Sequence, residues 1–118
     1  MQESGEMYLE TILTLSENNS YVRSIDVADA MSFSKPSVSR AMSKLKADNY
    51  ISIDKNGFIT LTDSGRAIAE KIYERHTVIS KLLMSIGVDE ETATADACRI
   101  EHVISDKTFA AVKKATKK

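Results

Sequence analysis

Apolar residues recur along this chain in two rhythms, a helical one that dominates and an alternating one confined to a short stretch near the middle. Tyr8, Ile12 and Leu15 fall at helical spacing after Ser4, which predicts a first helix capped by that serine and ended by Asn18-Asn19-Ser20. Ile25, Ala28 and Met31 mark a short second helix with Ser24 as its cap. After Ser32-Phe33-Ser34 a third helix is expected, with Pro36 in its first turn, where a missing N–H costs little, and Val38, Met42 and Leu45 as its apolar stripe. The period then changes to two: Ile51 and Ile53 alternate, Ile59 and Leu61 alternate, and Asn56-Gly57 between them favours a two-residue hairpin turn.

The helical rhythm returns after Thr62 or Asp63, either of which can cap a fourth helix. It runs through Ile68, Ile72, Ile79, Leu82 and Ile86 until Gly87 supplies a left-handed stop. Such a helix is roughly 30 Å or more at 1.5 Å per residue, too long for the preceding unit alone, so it is expected to lead into a second subdomain. Asp89 caps a fifth helix holding Cys98, Glu101 and His102, and Ser105 caps a sixth with Phe109 and Val112. Three helices followed by a small hairpin make a winged helix-turn-helix. The expected fold is therefore mainly α, with a winged helix-turn-helix over 1–62 and a helical subdomain over 63–118.

Composition bounds this picture without changing it. A chain of 118 residues, 42% of them hydrophobic, suits one compact domain or two small subdomains. No apolar stretch approaches the ~20 residues of a membrane span, and the N-terminus lacks the basic and apolar regions of a signal peptide, so a cytoplasmic protein with no membrane partner is expected. The apolar faces of helices four to six exceed what one protomer can cover, which predicts a homodimer. One cysteine makes no internal disulfide and leaves a reduced thiol. No repeat or low-complexity stretch is present, and Lys113, Lys114, Lys117 and Lys118 form a basic end expected to fray.

The net charge of −1 conceals a segregation. Between Lys35 and Lys55, Lys35, Arg40, Lys44, Lys46 and Lys55 face only Asp48 and Asp54, whereas between Asp89 and Asp106, Asp89, Glu90, Glu91, Asp96, Glu101 and Asp106 face only Arg99. One segment suits a polyanion and the other a cation. Ser34, Lys35, Pro36, Ser37, Ser39, Arg40, Ser43 and Lys44 begin or flank the third helix outside its apolar stripe. Arginine can pair with guanine and serine or lysine can hold phosphate, so this is a candidate surface for double-stranded DNA. Lys55 and Asn56 at the hairpin tip would reach a phosphate or the minor groove. A solvated helix face is the plain alternative, and winged helices also serve as protein-interaction modules.

Cys98, Glu101 and His102 stand at i, i+3 and i+4, close enough on a helix for thiolate, carboxylate and imidazole to meet one ion. Singly, each has an ordinary structural reading. Together they are harder to place, because burying Cys98 brings an ionised Glu101 toward an apolar interface at a cost of several kcal/mol unless something pairs with it. A metal hydrolase site would also use such ligands, but no HExxH and no glycine-rich phosphate loop accompany them, so an enzyme is not expected. A redox-sensing regulator using Cys98 remains a further reading.

Three segments, Glu6-Met7-Tyr8-Leu9-Glu10, Lys35-Pro36-Ser37-Val38-Ser39 and Ala97-Cys98-Arg99-Ile100-Glu101-His102-Val103-Ile104-Ser105-Asp106, resemble the metal-dependent repressors of the diphtheria toxin repressor and manganese transport regulator family, in the same order over nearly the whole chain. The resemblance implies a homodimeric repressor that binds a palindromic operator when loaded with Fe²⁺ or Mn²⁺ and controls metal-uptake genes. It places the main metal site on Met7, Cys98, Glu101 and His102, and adds Glu10 and His76. Ser80 and Thr94 stand where iron-type members carry further ligands, whereas sulfur at Met7 and Cys98 stands where manganese-type members carry carboxylates. Glu10 matches the manganese type, so the site is a hybrid. Thioether and thiolate favour Fe²⁺, Co²⁺, Ni²⁺ or Zn²⁺ over Mn²⁺, which makes Fe²⁺ the expected physiological ion and Mn²⁺ the runner-up, with Zn²⁺, Co²⁺ or Ni²⁺ as substitutes in vitro. Such repressors often carry further helices or a small β-barrel after the segment that this chain resembles.

Overall fold

Periodicity decides which faces of the first helices turn inward, and the computed structural model, which describes residues 3–116, packs the expected stripes of the first and third helices into the core, whereas the second buries Val27 and Ala28 and leaves Ile25, expected in its stripe, 37% exposed. The elements are α1 (Glu3–Asn18), α2 (Ser24–Met31), α3 (Lys35–Ala47), β1 (Ile51–Ile53), β2 (Ile59–Leu61), α4 (Asp63–Ser85), α5 (Glu90–Ile100) and α6 (Asp106–Thr116). This is the mainly helical, winged architecture expected. The chain divides into two compact units, Met1–Glu70 and Lys71–Lys118, so the first two turns or so of α4 belong with the winged unit.

The core of the first unit is apolar throughout. Tyr8, Leu9, Ile12 and Leu13 of α1 pack with Val27 and Ala28 of α2, Val38, Met42 and Leu45 of α3, and Ile51, Ile59 and Leu61 of the hairpin. Each large side chain buried here stabilises the fold by about 1.5–3 kcal/mol. α3 starts as expected: Ser34 is its N-cap, accepting the Ser37 N–H at 3.3 Å, with Pro36 in the first turn. Two other caps differ from expectation. Ser4 lies within the first turn of α1, which begins on acidic residues that suit the positive end of the helix dipole. Ser24 is likewise inside α2; the N-cap is the extended Arg23, whose N–H donates to Asp26 Oδ2 at 2.9 Å.

The hairpin is antiparallel, with Ile51 opposite Leu61 and Ile53 opposite Ile59. Its tip is not the two-residue turn that Asn56-Gly57 suggested. Five residues join the strands, because Asp54 Oδ1 accepts the N–H groups of both Asn56 (2.8 Å) and Phe58 (3.0 Å), and only Gly57 takes a positive φ, +84°. An aspartate side chain has replaced a primed turn. At the other end of the hairpin, Thr62 caps α4, its Oγ1 accepting the Gly65 N–H at 3.1 Å while donating to the Asn49 carbonyl at 2.9 Å. A Cβ on Gly65 would come within 2.0 Å of the Tyr50 carbonyl oxygen, so the start of α4 meets the wing base backbone to backbone.

The second unit has a smaller apolar core of Ile79, Ala97 and Phe109, with Val78, Leu83, Ile100 and Ile104 against it. α4 stops at Ser85 and Gly87 follows at φ +103°, as expected, but Ile86 does not continue the buried stripe and is 70% exposed. Asp89 caps α5, accepting the Thr92 N–H at 2.9 Å, and that amide holds its carboxyl below the usual 3.8. α5 ends at Ile100, earlier than expected: Glu101 is its C-cap, and His102 lies in the turn that follows. Ser105 caps α6 through the Thr108 N–H at 3.1 Å. The basic end is not a frayed tail over its described part, since α6 runs to Thr116 and Lys113 donates to Glu74 at 3.2 Å; Lys117 and Lys118 lie outside the described residues. Among the described residues, no helix is long and apolar enough to cross a membrane.

Candidate metal centre and nucleic-acid interface

The apolar stripe of α3 turns Val38, Met42 and Leu45 inward and leaves its polar residues outside. Ser34, Lys35, Pro36, Ser39, Arg40, Ser43 and Lys44 are exposed and Ser37 is half-buried. At the helix start the Ser34 hydroxyl donates to Ser37 Oγ at 2.8 Å, and Arg40 Nη2 donates to the same oxygen at 3.4 Å. That chain of contacts joins the N-cap to the arginine one turn further on. Lys44 borders a cleft of about 240 Å³ with Ser4, Gly5, Tyr8, Asp48 and Tyr50. Lys55 and Asn56 are exposed in the 54–58 tip, beside the Asp54 carboxylate that organises it.

One part of this surface escaped sequence reasoning. Ile59 donates its N–H to the Val22 carbonyl at 2.7 Å, which lays the 21–23 segment beside the wing. There the Arg23 guanidinium stands 4.6 Å from the centre of the Phe58 ring, and the 62% exposed Tyr21 stacks on the same ring at 4.7 Å. Arg23 and Phe58 are far apart in sequence and neither lies on a periodic stripe, so only the β-bridge brings them together.

The metal-type residues of the second unit centre on Glu101. Its side chain has no exposed surface, and each carboxylate oxygen meets an imidazole: Oε2 lies 2.8 Å from Nδ1 of His76, on α4, and Oε1 lies 3.3 Å from Nε2 of His102. The His102 side chain is also fully enclosed, while the His76 side chain keeps 25% exposure. Cys98, half-buried and in no disulfide, lies one turn earlier on α5, and among the described residues it does not join Glu101 and His102 in a group with every ligand atom within 4.8 Å. In the first unit Met7 and Glu10 sit one turn apart on α1, both half-buried.

A buried carboxylate is costly unless a positive charge or several hydrogen bonds answer it. Here His76 shares a hydrogen bond with one oxygen and the His102 imidazole stands beside the other, and carboxylate with imidazole is also a donor set that divalent transition cations accept. The residues present thus fit such a cation, with Glu101 and its two histidines as the nucleus of the site. Ser80, one turn after His76, is buried with an unpartnered hydroxyl, and a neutral hydroxyl is a weak ligand for such a cation.

Behind the carboxylate stands a residue that the sequence analysis did not single out. Arg75 is 6% exposed; its Nη1 donates to the carbonyls of Glu101 (3.1 Å) and Ile104 (2.8 Å), and its Nη2 donates to the Asp106 carboxylate. Its guanidinium also lies 5.6 Å from the centre of the Phe109 ring. A signal for it existed. Arg75 and His76 fill the gap between Ile72 and Ile79 in the α4 stripe, and a polar pair in the gap of a buried stripe marks buried polar chemistry.

Comparisons with known proteins match both halves of the chain. Residues 1–57 match the N-terminal DNA binding domain of the iron dependent repressors, and residues 62–118 match their metal binding and dimerisation domain. The HTH-type transcriptional regulator MntR of Geobacillus kaustophilus (strain HTA426) is 37% identical over 102 residues, 86% of this chain and 72% of that protein. Among solved structures, the metal-dependent transcriptional regulator MtsR has a TM-score of 0.89 at 27% identity, covering 99% of this chain and 55% of that one. A manganese-dependent transcriptional repressor in complex with manganese has a TM-score of 0.88 at 26% identity, covering 96% and 52%. This chain spans about half the length of these two solved chains.

Proposed function

The chain belongs to the iron-dependent repressor family, a family of transcriptional regulators and not of enzymes, and from that premise we propose that it is a metal-activated repressor that binds a palindromic DNA operator as a homodimer and controls metal-uptake genes. The observation that carries the metal part is Glu101, a carboxylate with no exposed surface between His76 and His102. Cys98, Met7 and Glu10 are the further ligands we assign to the ion. When bound, the cation supplies the positive charge that carboxylates and thiolate otherwise lack. Ligands drawn from α1 as well as from α4, α5 and the turn after it would couple loading to the arrangement of the reading helices. A preference of ~3 kcal/mol for one arrangement changes DNA-binding competence over a hundredfold.

For DNA, α3 offers Ser34, Lys35, Pro36, Ser37, Ser39, Arg40, Ser43 and Lys44 to the major groove, with Arg40 as the base-reading candidate. Lys55 and Asn56 meet the backbone or minor groove from the wing. Arg40→Ala is expected to weaken operator binding at least tenfold, and Lys44→Ala to lower the salt dependence by about one counterion. Unchanged binding in both variants would remove this docking surface.

Two sulfurs in the ligand set favour Fe²⁺ as the physiological ion. Mn²⁺ is the second reading, favoured by Glu10 and by the manganese-dependent repressor among the similar structures. Anaerobic fluorescence anisotropy with DNA from the protein's own promoter, under chelator, Fe²⁺ and Mn²⁺ at equal free concentration, tests both statements. Affinity that appears only with metal supports the repressor and ranks the ions; equal affinity under chelator removes metal activation. Cys98→Ser separates the redox reading, since a thiol sensor would lose its peroxide response and a metal sensor its metal activation.

A further inference from the structure

Arg75 is a guanidinium taken almost wholly out of water, and its three acceptors have one thing in common. The carbonyl of Glu101, the carbonyl of Ile104 and the carboxylate of Asp106 bracket the turn between α5 and α6. The last carbonyls of a helix have no partner within it, and the negative end of its dipole favours a cation there. Asp106 opens α6, where a carboxylate suits the positive end. A planar guanidinium holds several acceptors in a fixed mutual arrangement, which a lysine ammonium does not. The next residue along α4, His76, takes the Glu101 side chain at 2.8 Å. Two successive residues of one helix therefore hold the main chain and the side chain of the same glutamate.

We infer that Arg75 is a positioning residue for the metal centre: it touches no ion, but it fixes the turn that carries Glu101 and His102 and so sets the affinity for a divalent cation. The inference rests on the reading of Glu101 and His102 as ligands. A turn released from Arg75 populates the binding geometry only part of the time, and affinity falls by that fraction.

The test uses the full chain with Mn²⁺ measured by titration calorimetry, Co²⁺ followed anaerobically by its visible absorption, and thermal melting under chelator. Arg75→Lys keeps the charge and loses the fork; it is expected to weaken Mn²⁺ binding about tenfold and to alter the Co²⁺ ligand-field bands. Asp106→Ala removes an acceptor whose side chain is 78% exposed, so its fold survives, and it is expected to weaken binding in the same direction with melting under chelator nearly unchanged. Lys71→Met also removes a contact to Asp106, at 3.0 Å, but leaves Arg75 in place, and affinity should hold. Ile79→Val should lower the melting temperature and leave affinity alone, which separates positioning from general stability. If Arg75→Lys does not fold, Asp106→Ala decides. Wild-type affinity in that variant and in any folded Arg75→Lys, alongside metal binding that Glu101→Gln abolishes, overturns the inference alone. A wild-type protein that binds neither ion overturns the ligand reading and the inference with it.

Discussion

Met1–Glu70 and Lys71–Lys118 bury different kinds of residue. The first encloses Leu9, Ile12, Val22, Val27, Val38, Met42 and Ile51 and, among the described residues, no charged side chain. The second encloses Ile72, Ile79 and Phe109 beside Arg75, Ser80 and Glu101. Apolar burial is non-directional and needs no ligand, so the winged unit can hold its shape on packing alone. Buried charge is directional and expensive, and a fold that keeps it gives up stability that hydrophobic residues of the same volume would supply. The second unit is therefore where a bound cation changes the energetics most.

The largest effect expected from that contrast is on the apolar side. Met42→Ala should cost about 3 kcal/mol in urea denaturation, with or without chelator; a loss under about 1 kcal/mol would mean that α3 is not packed as described. Next comes metal. Mn²⁺ at roughly a hundred times its dissociation constant should stabilise the protein by about 2.7 kcal/mol and slow amide exchange at 97–104, and Glu101→Gln should abolish both responses. Slowing that is strongest in α2 and α3 would reverse the comparison. A smaller loss, about 1 kcal/mol, is expected for Thr62→Ala, which removes the α4 cap and the hydroxyl bond to Asn49; thermal melting reads it.

The smallest effect is acid dependence at Asp106. A hydrogen bond and charge attraction from Lys71, then the same from Arg75, hold its carboxyl below the ordinary 3.8. A depressed carboxylate contributes stability that is fully present above that ordinary value and is lost as pH falls through the folded one. Wild type should therefore lose stability below about pH 4 slightly faster than Asp106→Asn, and identical acid limbs would show that the exposed ion pairs contribute nothing measurable.

The two units also differed in how far they could be read in advance. In the winged unit, stripes such as Val38-Met42-Leu45 and the alternation that buries Ile51, Ile59 and Leu61, with Ile53 half-buried against them, translate directly into inward faces, because periodicity is what packing uses. The misreadings there were local: Asp54 and Asp26 supply side-chain acceptors that outcompete the turn and cap suggested by neighbouring residues. In the helical unit spacing and resemblance singled out Glu101, His102 and His76, but not what supports them. Arg75 meets partners 26 to 31 positions away, a separation that no helical or strand period encodes. The early end of α5 follows from the same contacts, since Arg75 takes the Glu101 and Ile104 carbonyls.

Gly65 bears on how such a wing can vary. The segment from Tyr50 to Gly65 is closed at its base by an approach too tight for any side chain, with 2.0 Å between a Cβ there and the Tyr50 oxygen. Residues can be added or removed only at the 54–58 tip. Wing length, and with it the distance of Lys55 from the helices at its root, is thereby a quantity that insertion or deletion can tune without disturbing those helices.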